Sequence, residues 1–163
     1  MEHLKYWAEA LAQATILALV LFWVAWPATI DGKSMENTLQ TNDHVIMSRY
    51  LTHSDNFGVG DILVIEIDGI DGYIVKRLIG VPGDRIVIRD GAVMRNGERI
   101  NEPYTKLLTG TPGSLDITLG ADDFFVLGDN RDVSADSRAF GAIHSANIVG
   151  KVIFKYFPEI GLI

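Results

Sequence analysis

The chain has 163 residues, no cysteine and a formal net charge of −7. The missing thiols exclude disulfides, thiolate zinc sites and cysteine nucleophiles, and the acidic balance disfavours the phosphate backbone of nucleic acids as a partner. The length suits one domain whose core needs neither disulfide nor metal, and 16 glycines fit short strands joined by turns.

From Ala10 to Ile30 no residue is charged. A helix needs about 20 apolar residues to cross the hydrocarbon core, so residues 10–30 are expected to be a transmembrane anchor behind a short cytoplasmic tail, 1–9. Trp23, Trp26 and Pro27 crowd the far end, and indole rings favour the membrane–water interface. A cleaved export signal and a buried core helix are the competing readings. The long apolar run and the mixed charges of the tail speak against the first. Lys5 gives the tail a vote for the cytoplasmic side, with Glu2 and Glu9 beside it, because the orientation rule counts Lys and Arg.

Beyond Gly32 the helical period gives way. The segment SMENTLQ fits one turn, with Ser34 able to cap a free backbone N–H. Period-two apolar patterns follow in HVIMSRYL, GDILVIEI, GYIVKRLIGV, DRIVIRDG and AVMRNGERI, most of them punctuated by Gly, Asp, Pro or Asn. Asn96-Gly97 is a hairpin signal. Residues 101–120 are turn-rich and read as an exposed loop or ribbon. DFFVLGDN is a strand running into a loop, and IVGKVIFKYF is a last strand. The expected architecture is mostly β: one domain over 31–163, with 90–123 as a small excursion. The apolar end FPEIGLI is too short to span a bilayer and is left to pack on the core or touch the membrane surface.

The residues able to do chemistry are few. His3, His44, His53 and His144 show no triad or metal-ligand spacing, so no cofactor or metal is expected. A lysine can replace histidine as base only if burial lowers its pKa. Lys76 interrupts the apolar run YIVKRLIGV, where strand alternation puts it on one face with Ile74 and Leu78. A snorkelling edge-strand lysine is the alternative. Ser34, in DGKSMENTL, follows the anchor and Gly32. A turn beginning there would offer free N–H groups to an oxyanion, and a plain N-cap serine explains the local pattern equally well. The loop GDNRDVSADSRAFG brings Asp129, Arg131, Asp132, Asp136 and Arg138 together with Ser134 and Ser137, as a solvated turn or an ordered polar network.

Taken in order, these segments resemble the type I signal peptidases. An anchor leads into a Ser-Met-x-x-Thr-Leu box at Ser34–Leu39. A Lys-Arg strand with a Gly-x-Pro-Gly-Asp turn follows at YIVKRLIGVPGD, and Gly-Asp-Asn-Arg-Asp-x-Ser-x-Asp-Ser-Arg runs from Gly128 to Arg138. The short form, with one anchor and a small excursion, is similar to Gram-positive and cyanobacterial members. The resemblance implies an N-terminal transmembrane helix followed by a signal-peptidase-like β catalytic domain with a small β-ribbon excursion. It implies Ser34 as nucleophile, Lys76 as general base and Ser134 hydrogen-bonded to the lysine amine. Asp136 and Arg138 buttress the site with Arg77, supported by Asp129 and Asn130. The Ser34 N–H is one oxyanion donor, and Gly32 stands where some members place a second donor serine. Ile30, Met35, Leu39 and Val75 match positions lining shallow pockets for small residues at −1 and −3. The box usually has Pro where this chain has Asn37.

The implied partners are precursors bearing signal peptides and the lipid bilayer, with no nucleic acid and a monomeric enzyme. The implied place is the plasma membrane: a single pass, N-terminus cytoplasmic and catalytic domain outside. The rival readings are another Ser-Lys protease (a self-cleaving repressor, a specialised pilin or transfer protease, a mitochondrial inner-membrane peptidase) and an inactive tethered β-domain that binds peptides.

Overall fold

The computed structural model describes residues 2–49, 57–105 and 110–162. Tyr50, Leu51 and His53, and the middle of the turn-rich stretch, lie outside the described residues. Helix α1 (Glu2–Val24) comes first. Among the described residues no helix is long and apolar enough to cross a membrane.

The helix ends before the uncharged run does. Residues Ala25–Thr29 form β1 rather than the last turns of a helix. Pro27 explains the break, since it removes a donor and biases Trp26 away from helical angles. It is tolerated because β1 is the edge strand of its sheet, where a missing N–H costs no ladder bond on the open side.

The strands β2 (His44–Ser48), β3 (Ile62–Glu66), β4 (Tyr73–Gly80), β9 (Asp123–Leu127), β10 (Ile143–His144) and β11 (Ile148–Phe157) build the main sheet in the order β1-β2-β11-β3-β4-β9-β10. Strand β12 (Gly161–Leu162) folds the C-terminal apolar segment back onto β11. All these pairs are antiparallel. A second sheet, in the order β7-β6-β5-β8, holds β5 (Arg85–Arg89), β6 (Ala92–Arg95), β7 (Glu98–Arg99) and β8 (Leu115–Thr118). The Asn96-Gly97 hairpin joins β6 to β7, with φ of 55° and 86° at its two residues, as a type I′ turn requires. The excursion therefore starts at Arg85, five residues before the expected boundary, because β5 pairs with β6 and β8 and not with the main sheet.

Three apolar clusters result among the described residues. Ile30, Met35, Leu39, Val45, Met47, Ile62, Val64 and Val152 form one, with Val75 packed against it. Ile74 and Leu78, the alternate residues of β4, join a second with Phe57, Leu63, Ile65 and Phe124. The third joins both sheets: Ile79, Phe125 and Leu127 of β4 and β9 pack with Ile86, Ile88 and Val93 of the excursion.

Candidate active site

Ser34 opens a tight turn between β1 and β2. Glu36 N–H donates to Lys33 O at 3.1 Å, and Leu39 N–H donates to Met35 O at 2.8 Å. Buried Met35 and Leu39 fasten the turn to the first core cluster. Gly32, just ahead, has φ 105°, and Asn37 inside the turn has φ 109°. Proline, held near −65°, cannot take that angle, whereas Asn tolerates positive φ. The Asn at this position is thus matched to the turn this chain makes. The Ser34 N–H has no hydrogen-bond partner among the described residues, which leaves it available to an incoming oxygen.

Lys76 comes to Ser34 from β4, 42 positions along the chain. Its Nζ donates to Ser34 Oγ at 2.7 Å and to the Val75 carbonyl at 3.0 Å. Ser34 Oγ thus meets the lysine instead of capping the turn. The residue is only 4% exposed, so it does not snorkel. Burial disfavours its charged form and lowers its pKa to about 8, with Asp136 pulling weakly the other way.

The loop after β9 closes over this pair. Asn130 N–H donates to the Ser34 carbonyl at 3.0 Å, and Asn130 Nδ2 reaches Glu36 at 3.3 Å. Gly128 has no room for a side chain: a methyl there would lie 2.2 Å from Ser134 Oγ and 2.5 Å from Ser34 O. Asp136 accepts from the Gly128 N–H at 3.0 Å, caps the short helix α2 (Ser137–Phe140), and takes two hydrogen bonds from Arg138 at 2.8 and 2.9 Å. Arg77 does not join that pair. Its guanidinium grips Asp129 at 2.8 and 2.7 Å, donates to Gly60 O at 2.6 Å, and shares Asp129 with the Thr38 hydroxyl.

The expected bond from Ser134 to the lysine is not made. Ser134 Oγ is buried with no hydrogen-bond partner. It lies against Gly128 while the Lys76 amine turns to Ser34 and Val75.

Beside the dyad lies a cleft of about 340 Å³, lined by Trp26, Ile30, Val45, Met47, Val64 and Val75 among others, with Asp31, Arg49 and Tyr73 also on its lining. Of the four residues expected along such a groove, Ile30 and Val75 line it. Met35 and Leu39 do not: at 1% and 0% exposure they are core residues that hold the nucleophile turn.

Two of the histidines, His44 and His144, take structural parts. His144 accepts from the Ala146 N–H at 3.2 Å to cap a one-turn helix, and His44 Nδ1 is 3.3 Å from Thr29 Oγ1. Among the described residues no group of His, Asp and Glu is arranged to hold a metal. Reading the sequence missed Thr38 and Gly128 as parts of the site, although both stand inside the boxes that carry the resemblance. It also missed Glu102, Tyr104 and Thr111, which come from the turn-rich stretch and carry no local signal.

Comparison with known proteins gives the family. The sequence profile of the family described as "Signal peptidase, peptidase S26" matches residues 4–157. Signal peptidase IB of Staphylococcus aureus (strain Mu50) is 34% identical over 175 aligned positions, covering 96% of this chain and 91% of its own. Signal peptidase I of Bacillus licheniformis is 33% identical, covering 93% and 88%. A crystal structure of a signal peptidase I from Enterococcus faecalis V583 superposes with a TM-score of 0.52 at 29% identity, over 58% of this chain and 95% of that one. A profile that runs from α1 to the end of β11, and relatives similar over almost their whole length, lead to one conclusion: this chain belongs to the signal peptidase family, peptidase S26, and is a serine endopeptidase of the signal peptidase I type.

Proposed function

We propose that the chain removes N-terminal signal peptides from exported precursors, cleaving after small residues at −1 and −3 with Ser34 as nucleophile and Lys76 as base. The observation that carries this reading is the 2.7 Å contact between Lys76 Nζ and Ser34 Oγ at a lysine whose burial brings its pKa to about 8. With the amine neutral, Ser34 Oγ–H donates across the same contact. As Oγ attacks the scissile carbonyl, the proton passes to Nζ and the Ser34 N–H faces the developing oxyanion. The ammonium then protonates the leaving amine, and the neutral lysine takes a proton from the water that hydrolyses the ester. The apolar cleft beside the dyad supports an extended substrate, with Ile30 and Val75 against the small side chains.

The anchor is part of the same proposal. The uncharged part of α1, residues 10–24, presents Leu11, Ile16, Leu17 and Leu19 at exposed positions, which supports its burial in lipid, while Ala25–Thr29 belongs to the sheet. The helical part ends at Val24, so the strand β1 leads straight from the membrane surface into the nucleophile turn. The enzyme sits with its tail in the cytoplasm and its β domain outside.

The test is cleavage of a precursor with an Ala-x-Ala site by the purified full-length protein, beside Ser34→Ala. A single cut after the second Ala that Ser34→Ala cannot make is the expected result. A peptide-binding protein would bind the precursor and leave it whole. Added protease should digest the β domain in spheroplasts; a shielded domain reverses the topology.

A further inference from the structure

The excursion sheet lies apart from Ser34 and Lys76 in sequence and contributes no reacting group, yet its return segment is wired into the catalytic loop. Arg131, in the middle of that loop, is 2% exposed. Its Nε donates to the Gly128 carbonyl at 2.8 Å. The rest of its guanidinium goes to the excursion: Nη2 to Glu102 Oε1 and Nη1 to the Thr111 hydroxyl. Glu102 is held in turn by the Tyr104 hydroxyl at 3.2 Å. The Tyr104 ring lies under the Arg77 guanidinium, 4.1 Å from its centroid, and Arg77 is the residue next to Lys76. Thr111 is tied to the β5–β6 turn, its N–H donating to Gly91 O at 2.8 Å. Arg138 adds a bond to the Arg131 carbonyl at 2.7 Å.

Gly128 is the point where this matters. Its Cα lies against both Ser134 and the Ser34 carbonyl, with no space for a methyl group, so a shift of the Gly128 carbonyl moves the surface on which the nucleophile turn rests. A buried guanidinium with a carboxylate and a hydroxyl on its far side is directional: its planar fork holds the Gly128 carbonyl at one distance and one angle.

We propose that Glu102 and Thr111 of the excursion are positioning residues for catalysis, acting through Arg131 to hold Gly128 and, through it, the Ser34–Lys76 geometry. The inference rests on the Ser34–Lys76 reading above. In this view the excursion is the outer half of the catalytic loop's support, and it tunes turnover without touching substrate. A misplacement of about 1 Å at a reacting pair can cost about 10²-fold in rate.

The test is kcat and KM on a precursor peptide for the full-length protein and for Glu102→Gln, Thr111→Val and Ile88→Ala, each assayed well below its own melting temperature. Glu102→Gln should lower kcat by roughly tenfold with KM within about twofold, because the cleft is untouched and the reacting pair is displaced. Thr111→Val, which removes one hydroxyl and keeps the shape, should lower kcat by a smaller factor, and it stands in if Glu102→Gln does not fold. Ile88→Ala loosens the excursion core without touching Arg131, so it should lower the melting temperature and leave kcat within about twofold. The proposal is overturned if Glu102→Gln, or Thr111→Val in its place, keeps a normal kcat. It is equally overturned if Ile88→Ala loses as much kcat for the same loss of stability, since the excursion then acts only through stability. Ser34→Ala in the same assay separates the two readings: an inactive Ser34→Ala beside a normal Glu102→Gln removes the positioning role alone, while an active Ser34→Ala removes the dyad beneath it.

Discussion

Two arginine–aspartate pairs in this molecule have almost the same geometry and very different surroundings. Arg77 grips Asp129 with bonds of 2.8 and 2.7 Å between side chains only 10% and 0% exposed. Arg85 grips Asp116 with bonds of 2.8 and 2.6 Å on the open face of the excursion, at 60% and 45% exposure. Water and salt screen the second pair, and its side chains keep freedom that the bond must restrain. The first pair has no water to fall back on. It also holds the residue beside the base, the Thr38 hydroxyl of the nucleophile turn and the first residues of the catalytic loop at once. Bond lengths do not rank such contacts; what each partner would meet if the other left does.

The sharpest break of the buried side comes at Lys76. Lys76→Arg and Lys76→Met should both lose cleavage by at least about 10³-fold, since neither can accept a proton from Ser34. In the wild type, kcat/KM should climb with pH as the lysine titrates near 8. The stability change has a fixed sign. The folded-state pKa is lowered from 10.5 to about 8, so between these values the unfolded chain binds more protons than the folded one. Stability rises with pH through that window, and below about pH 8 the protein carries the full penalty of a buried ammonium, on the order of 3 kcal/mol. Lys76→Met should be at least as stable as wild type at neutral pH and should lack this rise. Paired denaturant titrations at pH 7 and 10 would show it, and a mutant with the wild-type pH slope would remove the buried lysine from the account.

Asp129→Ala should come next, because it strands Arg77 in the interior at about 3–5 kcal/mol. Asp136→Ala should behave alike, as it strands Arg138 and leaves the Gly128 N–H without its acceptor. Asp116→Ala, the exposed counterpart, should leave the melting temperature within about 1 °C. Calorimetry on the three decides the comparison, and equal losses from Asp129→Ala and Asp116→Ala would defeat it.

The smallest and most local effect concerns the turn. Asn37→Gly should cost little, and Asn37→Pro should destabilise by about 1–3 kcal/mol, because φ is 109° there and proline cannot follow. A proline variant as active and stable as wild type would mean that the turn readily takes a second form.

Much of this was legible in the chain. Alternation marked β3, β4 and β5, Asn96-Gly97 marked its hairpin, and Lys76 inside the apolar run YIVKRLIGV marked itself as a base candidate, because desolvation depends on neighbours that alternation already names. The three boxes led to the family. Other features were out of reach for a definite reason. The end of α1 at Val24 was blurred because β1 is as uncharged as a membrane segment, and only pairing with β2 makes it a strand. Met35 and Leu39 look the same in sequence whether they line a groove or fill a core. Which aspartate Arg77 takes is settled by where β4 meets β9 in register, Arg77 opposite Leu127, two residues before Asp129. Glu102 and Thr111 sit in a polar, turn-rich stretch with no pattern of their own. Residue type and spacing are local properties, and they determined the strands, the turn and the candidates for nucleophile and base. Burial and the pairing of charges are set by chain segments dozens of residues apart, so only the packed structure decided which hydroxyl meets the lysine, which acid meets each arginine, and that the small sheet reaches into the site at all.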